Sequence, residues 1–295
     1  MRFKPVPSLL ICAALSLQAC DETRVEGPAP ADSASANGSG YADLEGTVIN
    51  YAYDDFSGFD LIWEDGDIRW EGSEGAYYDG VVRQRPAQVS RVADGIYFSS
   101  WPGTGGGGDN VVHDFNTMQV SAHLGTRDYG VILIAGDIHC WDRPDCVIPS
   151  TELTSDKDTQ PAIEANTRRF NLPSRADLRR PDRPLLPRDV AAREELAGKT
   201  IVFEQSTGMT RIAVDGDVTH VFDNGVQAEP QQTYATRIAD GIYFLSWAGP
   251  AGGNHMLFNT ITRKVYDHLQ PDLIRGEQIY DISCFDAFAA CKTAD

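Results

Sequence analysis

Two histidines and two cysteine pairs stand at matching places in this 295-residue chain. His123-Leu124 in the first half answers His268-Leu269 in the second. Imidazole titrates near neutrality, so a histidine placed twice is a candidate proton carrier. A strand histidine hydrogen-bonded for packing is the simpler reading. Cys140 precedes Cys146 by six residues and Cys284 precedes Cys291 by seven. Paired zinc thiolates stand about two to four residues apart, and only His139 lies beside them, so two local disulfides are expected and no metal site. Tyr51 and Tyr53 are alternate residues of a strand-like run, so their hydroxyls face one way. The glycine run Gly105 to Gly108 lacks the GK[ST] ending of a phosphate loop and no helix follows, so it reads as a hairpin loop or lid. No Gly-x-Ser-x-Gly or Ser-His-Asp arrangement stands out.

These residues sit in a duplicated unit. Ala93 to Trp101 reads ADGIYFSSW; Ala239 to Trp247, 146 residues later, reads ADGIYFLSW, with eight of nine letters equal. DGD at Asp65 recurs at Asp215, and FNT at Phe115 recurs at Phe258. Each copy has the length of an ordinary single domain.

The elements that must carry these residues are strands. Thr47 to Tyr53, Phe59 to Trp63, Ile68 to Trp70 and later runs are short, β-branched or aromatic, and broken by turn residues. Glu64 to Asp67 reads as a hairpin turn. The fold class expected is all-β: two tandem antiparallel barrels or sandwiches, residues 41–150 and 195–295, joined by a Pro/Arg-rich linker, residues 151–194. Within that linker Pro161 to Phe170 can form a short helix, and the rest is expected to be extended.

The N-terminus reads as an address. Arg2 and Lys4 precede the apolar run Leu9 to Leu17, which is too short to span a bilayer. Leu17-Gln18-Ala19-Cys20 resembles a bacterial lipobox, which implies cleavage after residue 19 and lipidation of Cys20. Residues 20–40, rich in Pro, Ala, Ser and Gly, read as a flexible tether. The expected place is the bacterial cell envelope, on the periplasmic face of the inner or the outer membrane, with the lipid as the membrane contact. An oxidising compartment agrees with disulfides. The net charge of −18 excludes a nucleic-acid partner, because phosphate contacts need clustered Lys and Arg.

Tyr51 to Trp70 (YAYDDFSGFDLIWEDGDIRW), Gly80 to Gln84 (GVVRQ) and Val92 to Trp101 (VADGIYFSSW) together resemble the bacterial phenolic acid decarboxylases and the related molybdenum cofactor biosynthesis protein F (MoaF) family. Both are lipocalin-type calycins, and MoaF-type proteins have two such domains, so the resemblance implies two tandem lipocalin-like antiparallel β-barrels. The resemblance covers most of the first domain and mainly its strand framework. It implies that Tyr51 and Tyr53 meet a substrate carboxylate. It also places the decarboxylase arginine at Val81 and the catalytic glutamate at Gly103, so ordinary phenolic acid decarboxylation is not expected. In the second domain the tyrosine positions are Phe203 and Gln205, and the glutamate position is Gly249. Arg83 and Arg85 lie near the lost arginine and can hold an anion.

The expectation is a lipid-anchored MoaF-like tandem barrel that binds a small, aromatic or phenolic molecule through Tyr51, Tyr53, Arg83 and His123, with no cofactor. Two alternatives stand beside it. One is a lyase or isomerase with replaced catalytic residues, His123 supplying the acid. The other is a structural envelope lipoprotein binding a protein partner.

Overall fold

A computed structural model describes residues 37–102, 108–126, 130–174, 185–205, 208–249, 252–268 and 277–293. The expected leader, Cys20 and nearly all of the tether lie outside the described residues, as do Gly103 and residues 105–107 of the glycine run. Among the described residues no helix is long and apolar enough to cross a membrane.

The chain folds as two antiparallel nine-stranded sheets, each curled into a barrel. The first runs β1 (Val48–Tyr53), β2 (Gly58–Glu64), β3 (Asp67–Gly72), β4 (Val82–Pro86), β5 (Gln88–Ala93), β6 (Ile96–Pro102), β7 (Gly108–Asp114), β8 (Gln119–Thr126) and β9 (Gly130–Trp141). Its order is β4-β3-β2-β1-β9-β8-β7-β6-β5, a meander whose first and last strands meet at β1–β9. The β2–β3 hairpin turns on Asp65 (φ 52°) and Gly66 (φ 83°), the left-handed pair that a two-residue turn of this twist requires. The second sheet runs β10 (Lys199–Gln205), β11 (Gly208–Asp215), β12 (Val218–Asp223), β13 (Val226–Gln227), β14 (Gln231–Ala239), β15 (Ile242–Gly249), β16 (Gly252–Asn259), β17 (Lys264–His268) and β18 (Glu277–Ala287). Here β12 pairs with both β11 and β14, which closes the ring. Both disulfides are present, Cys140–Cys146 and Cys284–Cys291, with Cα separations of 5.6 and 5.7 Å. Each ties a barrel's last strand, near its pairing with the first, to the segment that follows it.

Strand register corrects one landmark. Phe115 and Thr260 each donate a backbone N–H to the glycine of an ADG turn, Gly95 and Gly241. The FNT letters therefore match two residues out of structural register. A shift of two keeps every side chain on its own face, so the sequence gives no sign of it.

The segment between the barrels holds more helix than its prolines suggest. Helix α1 (Tyr41–Leu44) precedes β1, α2 (Asp156–Arg169) follows β9, and α3 (Pro187–Leu196) leads into β10. α2 starts five residues ahead of Pro161, and its buried face is Thr159, Ile163 and Asn166, at helical spacing. α3 falls where extended linker was expected. Pro187 sits in its first turn, and the Asp189 carboxylate accepts the Leu186 N–H at 3.1 Å, so the start is capped from within. Its Ala192 and Leu196 are buried in the second barrel's core. α1 and α3 are equivalent: the Tyr97 hydroxyl donates to Asp43 at 3.3 Å and the Tyr243 hydroxyl to Glu195 at 2.6 Å. The repeated unit thus begins with a helix, and the end of the linker belongs to the second copy.

The barrels face each other through the ADGIYF strands, β6 and β15. Phe98 and Phe244 meet edge-on at 5.4 Å, inside an apolar cluster with Val92, Ile96, Ile242 and Leu257. His123 crosses from β8 to stack on Phe244 at 3.7 Å, and His268 crosses from β17 to stack on Phe98 at 4.3 Å. His123 meets Ser246 Oγ at 2.7 Å and Thr236 Oγ1 at 3.0 Å; His268 meets Ser90 Oγ at 2.7 Å and Ser100 Oγ at 2.8 Å. Each histidine therefore bonds the corresponding residues of the other copy, as a two-fold arrangement requires.

Candidate ligand-binding site

Strand alternation decides which residues enter a barrel. On β8, Val120 and Ala122 belong to the core of barrel 1. His123, between their positions and Leu124, therefore points outward, to the other barrel. It does not supply an acid beside Tyr51 and Tyr53. Its hydrogen bonds have a definite sense. Thr236 donates to Asp189 at 2.6 Å, so with Asp189 ionised Thr236 accepts from His123 Nε2–H. His123 Nδ1 then accepts from Ser246, which accepts in turn from His255 Nδ1–H at 2.8 Å. Burial, then the neighbouring His255 and Arg188, holds the His123 pKa well below its usual value, so it sits neutral in the interface.

Tyr51 and Tyr53 do enter barrel 1 together. Their rings lie 5.2 Å apart, and Phe59 packs on them at 5.6 and 6.2 Å. Burial, followed by the charge of Asp109 on Tyr51 and the neighbouring Tyr51 and Asp109 on Tyr53, raises both pKa values, so both are neutral phenols. Trp70 and Tyr78 continue the aromatic lining, each about 5.3 Å from Phe59.

Arg83 lies across from Trp70, in the inward register of β4, and is held by the segment that follows β9. It pairs with Asp156 at the start of α2, donates to Thr154 O at 2.9 Å, and is buried. Arg85 reaches the same Asp156 carboxylate at 2.7 Å. These arginines do hold an anion, and it is the chain's own. Arg83 Nε remains buried without a hydrogen-bond partner. Val81, at the position that the resemblance gives to arginine, is fully buried in the barrel 1 core.

One functional candidate was not read from the sequence. His113 lies on β7, fully buried, with its ring 5.3 Å from Trp63 and 6.0 Å from Tyr51. Ser99 Oγ approaches its Nδ1 at 3.5 Å, and its Nε2 has no protein partner. The indole N–H groups of Trp63 and Trp101 are likewise buried without one. Burial pushes the His113 pKa down to about 3. Such atoms cost about 1–3 kcal/mol each when left unpaired, so a cluster of them calls for water or a ligand. The signal was available: Ser99 is the single letter at which the two nine-residue phrases differ.

Setting the barrels against each other makes the contrast sharp. Strand pairing matches Tyr51 with Phe203, Tyr53 with Gln205, Trp63 with Val214 and Trp70 with Val221. It also matches Ser99 with Leu245 and His113 with Phe258. Barrel 1 is aromatic and polar at positions where barrel 2 is nearly all apolar. Barrel 2 has its own interior acid, Asp267, which burial pushes up to about 7, in the electrostatic range of Tyr280.

Outside barrel 1, a cleft of about 610 Å³ is lined by Tyr53, Asp54, Asp137, His139 and Arg188 among others. Burial lowers the Arg188 pKa, against the opposing charges of Asp189, Asp54 and Asp137. One guanidinium thus faces the two carboxylates of the cleft wall, Asp54 and Asp137. Among the described residues no group of three or more His, Cys, Asp or Glu side chains could hold a metal ion.

No protein-family model matches the chain, and no curated protein matches it. A crystal structure from Burkholderia vietnamiensis, described as a "putative beta-lactamase", is similar over 32% of this chain and 93% of that one, at 13% identity and a TM-score of 0.30. At that score the likeness informs neither fold nor activity.

Proposed function

We propose that this chain is a MoaF-like, lipid-anchored binding protein of the bacterial envelope whose first barrel holds a small aromatic or phenolic molecule. One observation carries the reading. The copies agree where they pack on each other, at Phe98 with Phe244, Ser100 with Ser246 and His123 with His268. They part where side chains point inward, and there barrel 1 gains Tyr51, Tyr53, Ser99 and His113. A barrel kept only for its framework needs no buried imidazole with an unpartnered nitrogen. Aromatic walls with a few convergent polar groups are the usual make-up of a small-molecule site.

His113 gives the second reading, a lyase or isomerase, its one supporting observation: a titratable group stands beside Tyr51. With its pKa near 3, the imidazole is a weak base at neutral pH, and the binding reading stays ahead.

The test is a titration of the full chain with hydroxylated benzenes and cinnamic derivatives, read by tryptophan fluorescence and followed by chromatography. Saturable quenching without product is expected. It disappears when barrel 1 receives barrel 2's residues, Ser99→Leu with His113→Phe. Quenching that survives this exchange sinks the barrel 1 site, and product formation moves the assignment to the enzyme.

A further inference from the structure

We infer that the interface between the barrels is an acid-opened clasp: its buried histidines hold the barrels together while neutral, and their protonation parts them as two folded, tethered barrels. The clasp works without a ligand in barrel 1.

A neutral imidazole offers one donor and one acceptor, whereas the imidazolium offers two donors. His123 uses both roles. Its Nε2–H points to Thr236 Oγ1, and its Nδ1 accepts from Ser246 at 2.7 Å. Ser246 Oγ already takes the His255 Nδ1–H at 2.8 Å. A proton on His123 Nδ1 therefore meets the Ser246 proton, and turning the hydroxyl away strips it of the acceptor it now has. His268 stands likewise between Ser90 Oγ at 2.7 Å and Ser100 Oγ at 2.8 Å, so whichever hydroxyl donates to it must turn when both ring nitrogens carry protons.

The charges around the two rings do little to offset this. Behind Thr236 stands Asp189 of α3, while Arg188 of α3 and His255 of β16 both disfavour a charged His123. Behind Ser100 stands Asn110, at the position where the second copy has His255. Opposite His268 on β18 is Glu277, whose carboxylate accepts from the Ser39 N–H at 2.8 Å and the Ser39 hydroxyl at 2.7 Å. The arginines next to Thr236 and Ser90 turn to carboxylates of their own copy, Arg237 to Glu195 and Asp240, Arg91 to Asp43 and Asp94.

Burial holds His268 at about 3 and His255 at about 4, and holds His123 well below the ordinary 6.5. The closed interface is therefore fully favoured above about pH 6.5 and loses ground as pH falls toward about 4, by about tenfold per pH unit for each histidine that opening exposes. Asp189 acts in the opposite sense, because burial raises its pKa and proton uptake there favours the closed form. One carboxyl thus stands against three imidazoles. Each sheet curls on itself and carries its own disulfide, so parting removes the shared cluster around Phe98 and Phe244 and leaves both barrel cores in place.

The experiment takes the full chain from pH 7.5 to pH 4, with small-angle X-ray scattering for its dimensions and far-ultraviolet circular dichroism for its strands. The radius of gyration is expected to rise while the strand signal is kept, reversibly, with the open-to-closed ratio changing about a hundredfold or more per pH unit. His123→Gln and His268→Gln keep one donor and one acceptor without a titrating group. Each should make that dependence about tenfold shallower, and the pair should stay compact at a pH where the wild type is open. His220→Gln, on β12 and bonded to Gln227, should change nothing. Imidazole NMR signals of the wild type add a reading that needs no variant to fold: those of the interface histidines should turn to the imidazolium form together with the expansion. Expansion with these rings still neutral, expansion only together with loss of strand signal, no expansion down to pH 4, or a pH dependence that both Gln variants leave unaltered overturns the clasp.

Discussion

Single residues carry the difference between the barrels. Ser99 and Leu245 are the one mismatch in a nine-letter phrase, and they stand at equivalent inward positions beside His113 and Phe258. Ser99→Leu alone should leave the fold intact and abolish ligand binding, as near-ultraviolet circular dichroism and a ligand titration would show together. His113→Phe removes a buried nitrogen without a partner and should stabilise the unliganded protein by about 1 kcal/mol in urea unfolding at pH 8. That gain is pH-dependent, and its sign follows from linkage. In the fold His113 stays neutral down to about pH 3, whereas in the unfolded chain it protonates below about 6.5. The unfolded state therefore binds more protons in that window, and the wild type loses stability as pH falls through it. The advantage of His113→Phe should grow by roughly 1 kcal/mol per pH unit between 6.5 and 5. A constant advantage across that range means that the imidazole is solvated or paired.

At the scale of elements, α2 does what an extended linker cannot. Just ahead of it, Thr154 donates its backbone N–H to Val82 O at 2.9 Å and accepts the Val82 N–H on its hydroxyl oxygen at 3.1 Å, and Asn166 of α2 donates to Tyr77 O at 3.1 Å and Asp79 O at 2.9 Å. These bonds occupy the outer backbone of β4 at its first residue, where the sheet edge is otherwise open to pairing. Asp156→Ala leaves the buried Arg83 guanidinium without its counter-charge. Because the carboxylate is mostly exposed, the expected cost is only about 1–2 kcal/mol, with faster proteolysis within 156–169 as the local readout. Unchanged cleavage would show that the apolar face of α2, not the ion pair, holds it down. Each disulfide closes a loop of six or seven residues, for which loop entropy gives roughly 2 kcal/mol. Cys140→Ser with Cys146→Ser should lower stability by about that amount.

For the whole molecule, the question is whether two barrels are one folding unit. Residues Ala34 to Asp295 form a single compact unit, and the apolar core between the barrels is as fully buried as those within them. Each crossing histidine satisfies hydroxyls in the other copy, so neither barrel presents a finished surface alone. Phe244→Ala should cost about 3–4 kcal/mol and affect barrel 1 as much as barrel 2, since His123 stacks on that ring. Tryptophans report each half: Trp63 and Trp101 for barrel 1, Trp247 for barrel 2. Coincident unfolding curves from single-tryptophan variants are expected for the wild type, and a split transition for Phe244→Ala. Two separate transitions in the wild type itself would mean that the interface contributes little.

The sequence by itself determined the duplication, the all-β class, the alternation that sends Tyr51 and Tyr53 inward together, and both disulfides. All of these are written in local letters: a repeated phrase, period-two patterning, and cysteines a few residues apart. It left open what depends on residues far apart in the chain. His123 looked like a site residue because it recurs, and it recurs because a two-fold interface uses it twice. Arg83 looked available because its partner lies 73 positions later, on a helix hidden among prolines. His113 went unnoticed because no letter in its own neighbourhood marks it. Its role comes from Ser99, Trp63 and Tyr51, which only the closing of the sheet brings around one imidazole. Short-range pattern fixes which face a side chain takes, whereas curvature of the sheet and docking of the copies fix what that face meets.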